Sequence, residues 1–227
     1  MKVILFGASG MIGQGTLIEC VADPRVESVL IIGRSTAGVT DPKVRELLRT
    51  DFANYSDLSA EFARHDACFF CLGVTAVGLD EATYSRLTFD IALAAARTMA
   101  AANPAMTFCY VSGEGTDSTE TGRTMWARVK GRTENALLAL PFKAAYMFRP
   151  ALIFPRKGVR SKTLWYQMFY NTFGLFYGLF QTIFAAWVTT TENQGKALIA
   201  VAANGYPKRI LFSRDINALA KSTPSVS

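Results

Sequence analysis

Residues Gly7-Ala8-Ser9-Gly10-Met11-Ile12-Gly13 place three glycines at i, i+3 and i+6 directly after the apolar run Lys2–Phe6. A phosphate-bearing cofactor needs this combination. One glycine turns the chain off a strand, and a second lets backbone approach a pyrophosphate. The third lets the next helix pack close to the sheet with its first N–H groups aimed at the anion. Ile12, Thr16, Leu17, Cys20 and Val21 then recur at helical spacing. These residue types, in this order, predict a nucleotide-cofactor site at residues 7–13.

The next chemistry-bearing residues follow later apolar runs. Ile31-Ile32-Gly33-Arg34-Ser35 ends the second run without an acid, whereas an NAD site normally puts a carboxylate there for the adenosine ribose hydroxyls. Arg34 lies about twenty residues past the glycines, where a guanidinium can pair with a 2′-phosphate and Ser35 can add a hydrogen bond. The expected cofactor is therefore NADP, with NAD as the alternative; the plain reading of Arg34 is an exposed turn residue. Asp51-Phe52 suits the amino group and ring edge of adenine, or caps a turn. Cys71-Leu72-Gly73 ends a further run, and Gly73 lets backbone pass close to a cofactor ribose, or simply ends a strand.

These positions need a frame in which strand ends converge. Strands are expected at residues 3–6, 29–32, 44–48, 67–72, 107–112, 145–148 and 210–212, and helices at 11–21, 58–64, 83–102, 123–140, 192–204 and 215–220. Such alternation implies an α/β fold: a Rossmann-type doubly wound parallel sheet with a small C-terminal helical lobe. The expected division is a dinucleotide-binding unit over 1–155 and a lobe over 156–227 packed on it as one structural unit. Ligands in such sheets bind beyond the carboxyl ends of the strands, which is where the residues above fall. Thr191-Glu-Asn-Gln194 has the form of a capping box.

The remaining composition mostly excludes. Half the residues are hydrophobic, so disorder is ruled out. The net charge of +6 is spread along the chain, with a denser group at Arg156, Lys157, Arg160 and Lys162, and no nucleic-acid-binding module pattern is visible. His65 is the only histidine, so a multi-histidine metal site is impossible. Cys68-Phe-Phe-Cys71 has redox-like spacing, but residues three apart on a strand point to opposite faces. Those two thiols, with Cys20 and Cys109, read as core thiols of a reducing compartment, and no metal is expected. Met1-Lys2 leads straight into the first strand, so a cytoplasmic location is expected. Residues 163–191 contain ten aromatics and no charge. Their polar and aromatic faces suit a lid or packing helix, shared with a second subunit in a homodimer, or contact with a membrane surface, better than a membrane span.

The order of these signals resembles the short-chain dehydrogenase/reductase superfamily in its atypical or extended branch, and within it the Tat-interacting-protein-type oxidoreductases, epimerase/dehydratase-like proteins. Besides the residues above, the matching pieces are Tyr110-Val-Ser112, Lys130-Gly-Arg-Thr-Glu134 and Phe148-Arg-Pro150-Ala-Leu-Ile153. The resemblance implies redox or epimerase chemistry on a small molecule. It casts Lys130 as the residue that binds the cofactor ribose and lowers the pKa of a catalytic tyrosine. Ser112 would orient the substrate oxygen, and the backbone from Pro150 to Ile153 would lie by the nicotinamide. This chain departs from the pattern where it matters most: Trp126 stands in the tyrosine's place, four residues before Lys130. An indole N–H donates a hydrogen bond but is no general acid. Three routes stay open: another hydroxyl such as Tyr84 or Tyr110, a water or substrate group held by Ser112 and Lys130, or cofactor binding without turnover. Glu114 or Asp117 could add a carboxylate from the polar loop after Ser112.

Overall fold

A computed structural model describes residues 1–156, 159 and 187–222. Seven strands form one parallel sheet: β1 (Lys2–Phe6), β2 (Ser28–Gly33), β3 (Val44–Leu48), β4 (Ala67–Phe70), β5 (Thr107–Val111), β6 (Ala144–Arg149) and β9 (Ile210–Phe212). Their spatial order is β3-β2-β1-β4-β5-β6-β9. The chain builds outward from β1 to β3, returns past β1 to β4, and continues the other way. The order reverses between β1 and β4, and a crevice opens at such a point beyond the carboxyl ends.

The central strands are apolar throughout because both of their faces are covered. Val3, Leu5, Val29, Ile31, Phe69 and Phe148 face a core closed by α1 (Met11–Ala22) and α6 (Thr191–Asn204). Ile4, Phe6, Leu30, Ile32, Phe70 and Met147 face the other core, closed by α4 (Ile91–Ala102) and α5 (Met125–Leu138). Helices α1 and α6 nearly touch: a Cβ on Gly15 would stand 2.5 Å from the Cβ of Thr191. Cys68 belongs to one core and Cys71 packs against the other, as the strand geometry requires.

Most elements fall within two residues of expectation; the differences have local causes. The helix expected over 58–64 is α2 (Ser59–Phe62), a single turn after a 3-10 turn at Ser56–Leu58. The helix expected over 83–102 begins earlier, as α3 (Glu81–Ser85), because Asp80 caps it by accepting from Thr83 N at 2.7 Å. A π turn, Arg86–Asp90, then joins α3 to α4. Strands β7 (Leu152–Phe154) and β8 (Val188–Thr190) pair in a separate parallel ribbon that the sequence pattern does not announce. Nor is Thr191 the cap of α6. Thr190 is, its hydroxyl accepting from Asn193 N at 3.0 Å, while the Thr191 hydroxyl accepts from Arg156 N.

Of the residues beyond the division expected at 155, those described include β9, a strand of the main sheet, α6 against α1, and α7 (Ser213–Lys221). The aromatic segment 163–191 lies outside the described residues apart from 187–191, and so does most of the basic group at 156–162. No helix among the described residues is long and apolar enough to cross a membrane.

Candidate functional site

The glycine turn has the geometry its spacing predicts. Gly7 adopts φ +78°, and a Cβ there would stand 2.7 Å from the backbone of Cys71 and Leu72, the chain leaving β4. A Cβ on Gly13 would stand 2.0 Å from Gly7 O. The turn is closed by Gly10 N donating to Gly7 O at 2.9 Å. Helix α1 is preceded by Gly10 as its cap residue, which offers no side-chain cap, and has no acid in its first turn. Its leading N–H groups and the positive end of its dipole are thus left for an anion, where a carboxylate would otherwise compete.

A cavity of about 510 Å³ opens over this turn. Gly7, Ala8, Ser9, Arg34, Ser35, Asp51, Phe52 and Leu72 line it, so these expected cofactor residues are brought together. Its apolar walls come from Phe52, Leu72, Leu87 and Ile91, and its charged residues are Arg34, Asp51 and Arg86. Asp51 also holds its own turn, one carboxylate oxygen accepting from Ala53 N at 2.8 Å. Gly10, Met11, Ile12 and Gly13 follow in the first turn of α1 without lining the cavity: Met11 packs towards Phe154 and Val188, and Ile12 towards the core. Cys71, expected as a core thiol and also beside the cofactor, is a core thiol and does not line the cavity. Its side chain packs against the core, with Sγ 3.9 Å from the Thr16 hydroxyl, and burial pushes its thiol up to about 12. It shapes the site only through the backbone that meets Gly7. A Cβ on Gly73 would meet nothing within 4 Å, so close packing of the chain does not require glycine there.

The second cluster sits at the carboxyl ends of β5 and β6. Trp126, Lys130 and Glu134 stand four residues apart and share one stripe of α5. Lys130 Nζ donates to the Ser112 carbonyl and lies 6.0 Å from the Trp126 ring centre. The Ser112 hydroxyl points inward: it lies 2.5 Å from Glu134 Oε1 and 3.1 Å from Phe148 O. Glu134 is completely buried and is gripped by Arg149, whose Nε donates to both carboxylate oxygens at 3.1 Å and whose Nη2 donates to Oε2. Arg149 Nη2 also reaches Ser118 Oγ at 2.5 Å. The hydroxyl expected to orient a substrate oxygen is thus committed to a buried carboxylate, since serine has only one proton to give. Glu114 N donates to Pro150 O at 2.9 Å, which pins the loop after Ser112 to the end of β6. Ile153 is buried in β7.

Other candidates are removed by their surroundings. Tyr84 and Tyr110 are both about 2% exposed, and burial raises both phenols, against any role as acids near neutral pH. Asp117 spends its carboxylate on its own loop, accepting from the Thr119 hydroxyl at 2.6 Å and from Gly122 N at 2.7 Å, and these bonds lower its pKa. His65 precedes β4 at the amino ends of the strands, away from the site, with Nδ1 2.9 Å from Glu61 O, and burial lowers its pKa. No cluster of three His, Cys, Asp or Glu that could hold a metal occurs among the described residues.

Burial lowers Lys130 to about 8, against an opposing pull from Glu134. Its amine therefore exchanges a proton near neutral pH, which suits acid–base work. Folding also holds this proton less tightly than the unfolded chain does between about 8 and the ordinary 10.5, so this residue makes stability rise with pH across that window. Competitive amine labelling with peptide mapping should give Lys130 a midpoint near 8. A midpoint at the ordinary lysine value would show that its amine is solvated.

Glu134, Arg86, Leu87 and Ile91 were not identified from sequence as site residues. The stripe Trp126–Lys130–Glu134 was there to be read at helical spacing; Arg86 had no comparable signal, because a π turn shifts its register.

No protein-family model matches the chain. It is 27% identical to Protein HTATIP2 of Rattus norvegicus over 154 residues, covering 67% of this chain and 62% of that protein's length. It is 30% identical to Protein fmp52, mitochondrial, of Emericella nidulans over 159 residues, 67% of this chain and 66% of that protein. The matches thus span under two thirds of either curated relative's length. Among solved structures, Gre2 of Candida albicans in complex with NADPH shares the fold, with TM-score 0.68 and 11% identity over 93% of this chain and 77% of that one. Such sequence relatives, together with the doubly wound sheet and its glycine turn, show that the chain belongs to the atypical short-chain dehydrogenase/reductases.

Proposed function

We propose that this protein is an NADP(H)-binding oxidoreductase or epimerase acting on a small molecule. One observation carries the reading: the cavity over the uncapped α1 N-terminus brings Arg34 and Ser35 to the end of β2, where no acid stands. The residues fit a dinucleotide. Gly7 and Gly13 let the turn, the chain leaving β4 and the start of α1 pack closer than any side chain allows, the α1 N–H groups suit a pyrophosphate, and Phe52, Leu87 and Ile91 offer walls for a base. The solved relative in fold that carries NADPH supports the same class of ligand. A bound nicotinamide would supply hydride chemistry. The chain's own task would be to move the accompanying proton, and Lys130 is the group placed for it, directly or through a water. The reading includes a homodimer and a cytoplasmic setting; the name of the fungal relative supplies the mitochondrion as the alternative.

Titration calorimetry with NADPH and NADH tests the cofactor assignment. NADPH should bind about tenfold or more tightly, the usual scale of a charge-assisted contact, and Arg34→Ala should sharply reduce the difference. Equal binding by the wild type, or a preference unchanged in Arg34→Ala, overturns it.

A second reading rests on Trp126: a cofactor-binding sensor or scaffold with little turnover, engaging a partner or a membrane surface through residues 163–191. Both readings require dinucleotide binding and part at catalysis.

A further inference from the structure

Arg86 reaches the cavity from the crossover after β4, whereas Arg34 reaches it from the loop after β2. Strand β1 lies between β2 and β4 in the sheet, so the two arginines approach from opposite flanks of the glycine turn. Arg86 is the first residue of the π turn Arg86–Asp90, and Leu87 and Ile91 beside it also line the cavity. Such turns are rare and concentrate at functional sites, because the extra residue re-aims the side chains at the step. Here the step brings one charged and two apolar side chains onto one wall.

The charges around the cavity are unbalanced. Two arginines face it with one carboxylate, Asp51, which also holds its own turn. Arg86 Nη2 donates to the Thr83 hydroxyl at 2.9 Å. The nearby Asp80 carboxylate caps α3, accepting from Thr83 N at 2.7 Å and from the Thr83 hydroxyl at 3.2 Å, and attracts Arg86 through space without forming an ion pair with it. A guanidinium resting on a neutral hydroxyl keeps further N–H donors for an anion.

We propose that Arg86 is a second specificity-determining residue, closing with Arg34 on the phosphate of the adenosine ribose. The proposal rests on the NADP reading above and adds that recognition is shared between two walls of the cavity. A plain alternative is that Arg86 lies flat on the adenine ring, which would favour every adenosine ligand equally.

Two probes that differ only by the 2′-phosphate separate these roles: 2′,5′-ADP and 5′-AMP, measured by titration calorimetry on the full chain. The wild type should prefer 2′,5′-ADP. Arg86→Ala should weaken 2′,5′-ADP about tenfold and leave 5′-AMP within about twofold, and Arg86→Lys, which keeps charge but loses the planar fork, should fall between. Equal losses for both probes would identify a stacking or wall residue and overturn the proposal, as would no loss. If Arg34→Ala abolishes the preference while Arg86→Ala leaves it intact, the NADP reading stands and the role of Arg86 falls. If the wild type shows no preference, both fall. Arg86 is exposed, so an unchanged thermal midpoint should accompany each variant.

Discussion

Glu134→Ala is expected to cost the protein about 3–5 kcal/mol, the scale for breaking a buried ion pair by removing one partner. Glu134 is fully buried, and its carboxylate binds Arg149 and the Ser112 hydroxyl together. Without it the Arg149 guanidinium, itself buried, keeps Ser118 but no counter-charge. A loss of that size is a large share of the roughly 5–15 kcal/mol that holds a typical domain together. Urea denaturation followed by circular dichroism measures it. Glu134→Gln preserves the shape and one acceptor and should cost less. The double variant Glu134→Leu with Arg149→Met should recover part of the loss, because apolar residues of similar volume often replace buried pairs without penalty. If Glu134→Ala loses under about 1 kcal/mol, the pair is solvated and its central place in the site is wrong. The same bonds tie α5, the end of β5, the end of β6 and the loop at Ser118, so they position Ser112 and the mouth of the site.

The second large effect is a gain. Trp126→Tyr should confer NADPH-dependent reduction of small carbonyl compounds at about 10²-fold or more over the wild type, the contribution expected of a positioned general acid. The phenol would stand one helical turn from Lys130, whose lowered amine can hold its proton balance. Tyrosine is also smaller than tryptophan, and Trp126 packs where a Cβ on Gly115 would come within 3.2 Å of its ring. The exchange therefore opens space at the mouth rather than crowding it. The readout is NADPH oxidation followed by absorbance across a carbonyl panel, with binding measured in parallel. Turnover in the wild type or a gain in the variant supports the enzyme reading. Unchanged binding with no turnover in either favours the sensor or scaffold. Because the Ser112 hydroxyl faces Glu134, the gain should sit at the low end of the general-acid range.

Much of the frame was legible in the residues. Ile210–Phe212 occurs as expected, because an apolar run ended by polar residues is a local signal; Val44–Leu48 also occurs as expected, although Arg45 and Glu46 stand in its middle. So were Gly7 and Gly13, whose spacing encodes clashes that only glycine escapes, and Arg34, Ser35, Asp51 and Phe52, which strand order carries to one cavity. Other features depend on partners distant in the chain. Strand β7 pairs with residues 36 positions away, Leu152 with Val188, and three residues are too few to show a period. Thr190 rather than Thr191 caps α6, because the backbone is still extended at Thr190 and already helical at Thr191, whose hydroxyl accepts instead from the distant Arg156 N.

The sequence by itself determined the doubly wound sheet, the anion-ready turn after β1, and the absence of a tyrosine four residues before Lys130. Each follows from periodicity or spacing within a few turns of chain. Only the tertiary structure decided that Arg86 joins Arg34 at one cavity and that the Ser112 hydroxyl belongs to a buried Glu134–Arg149 pair. Those outcomes depend on which groups meet across the fold and which are left in water, and no local pattern records desolvation.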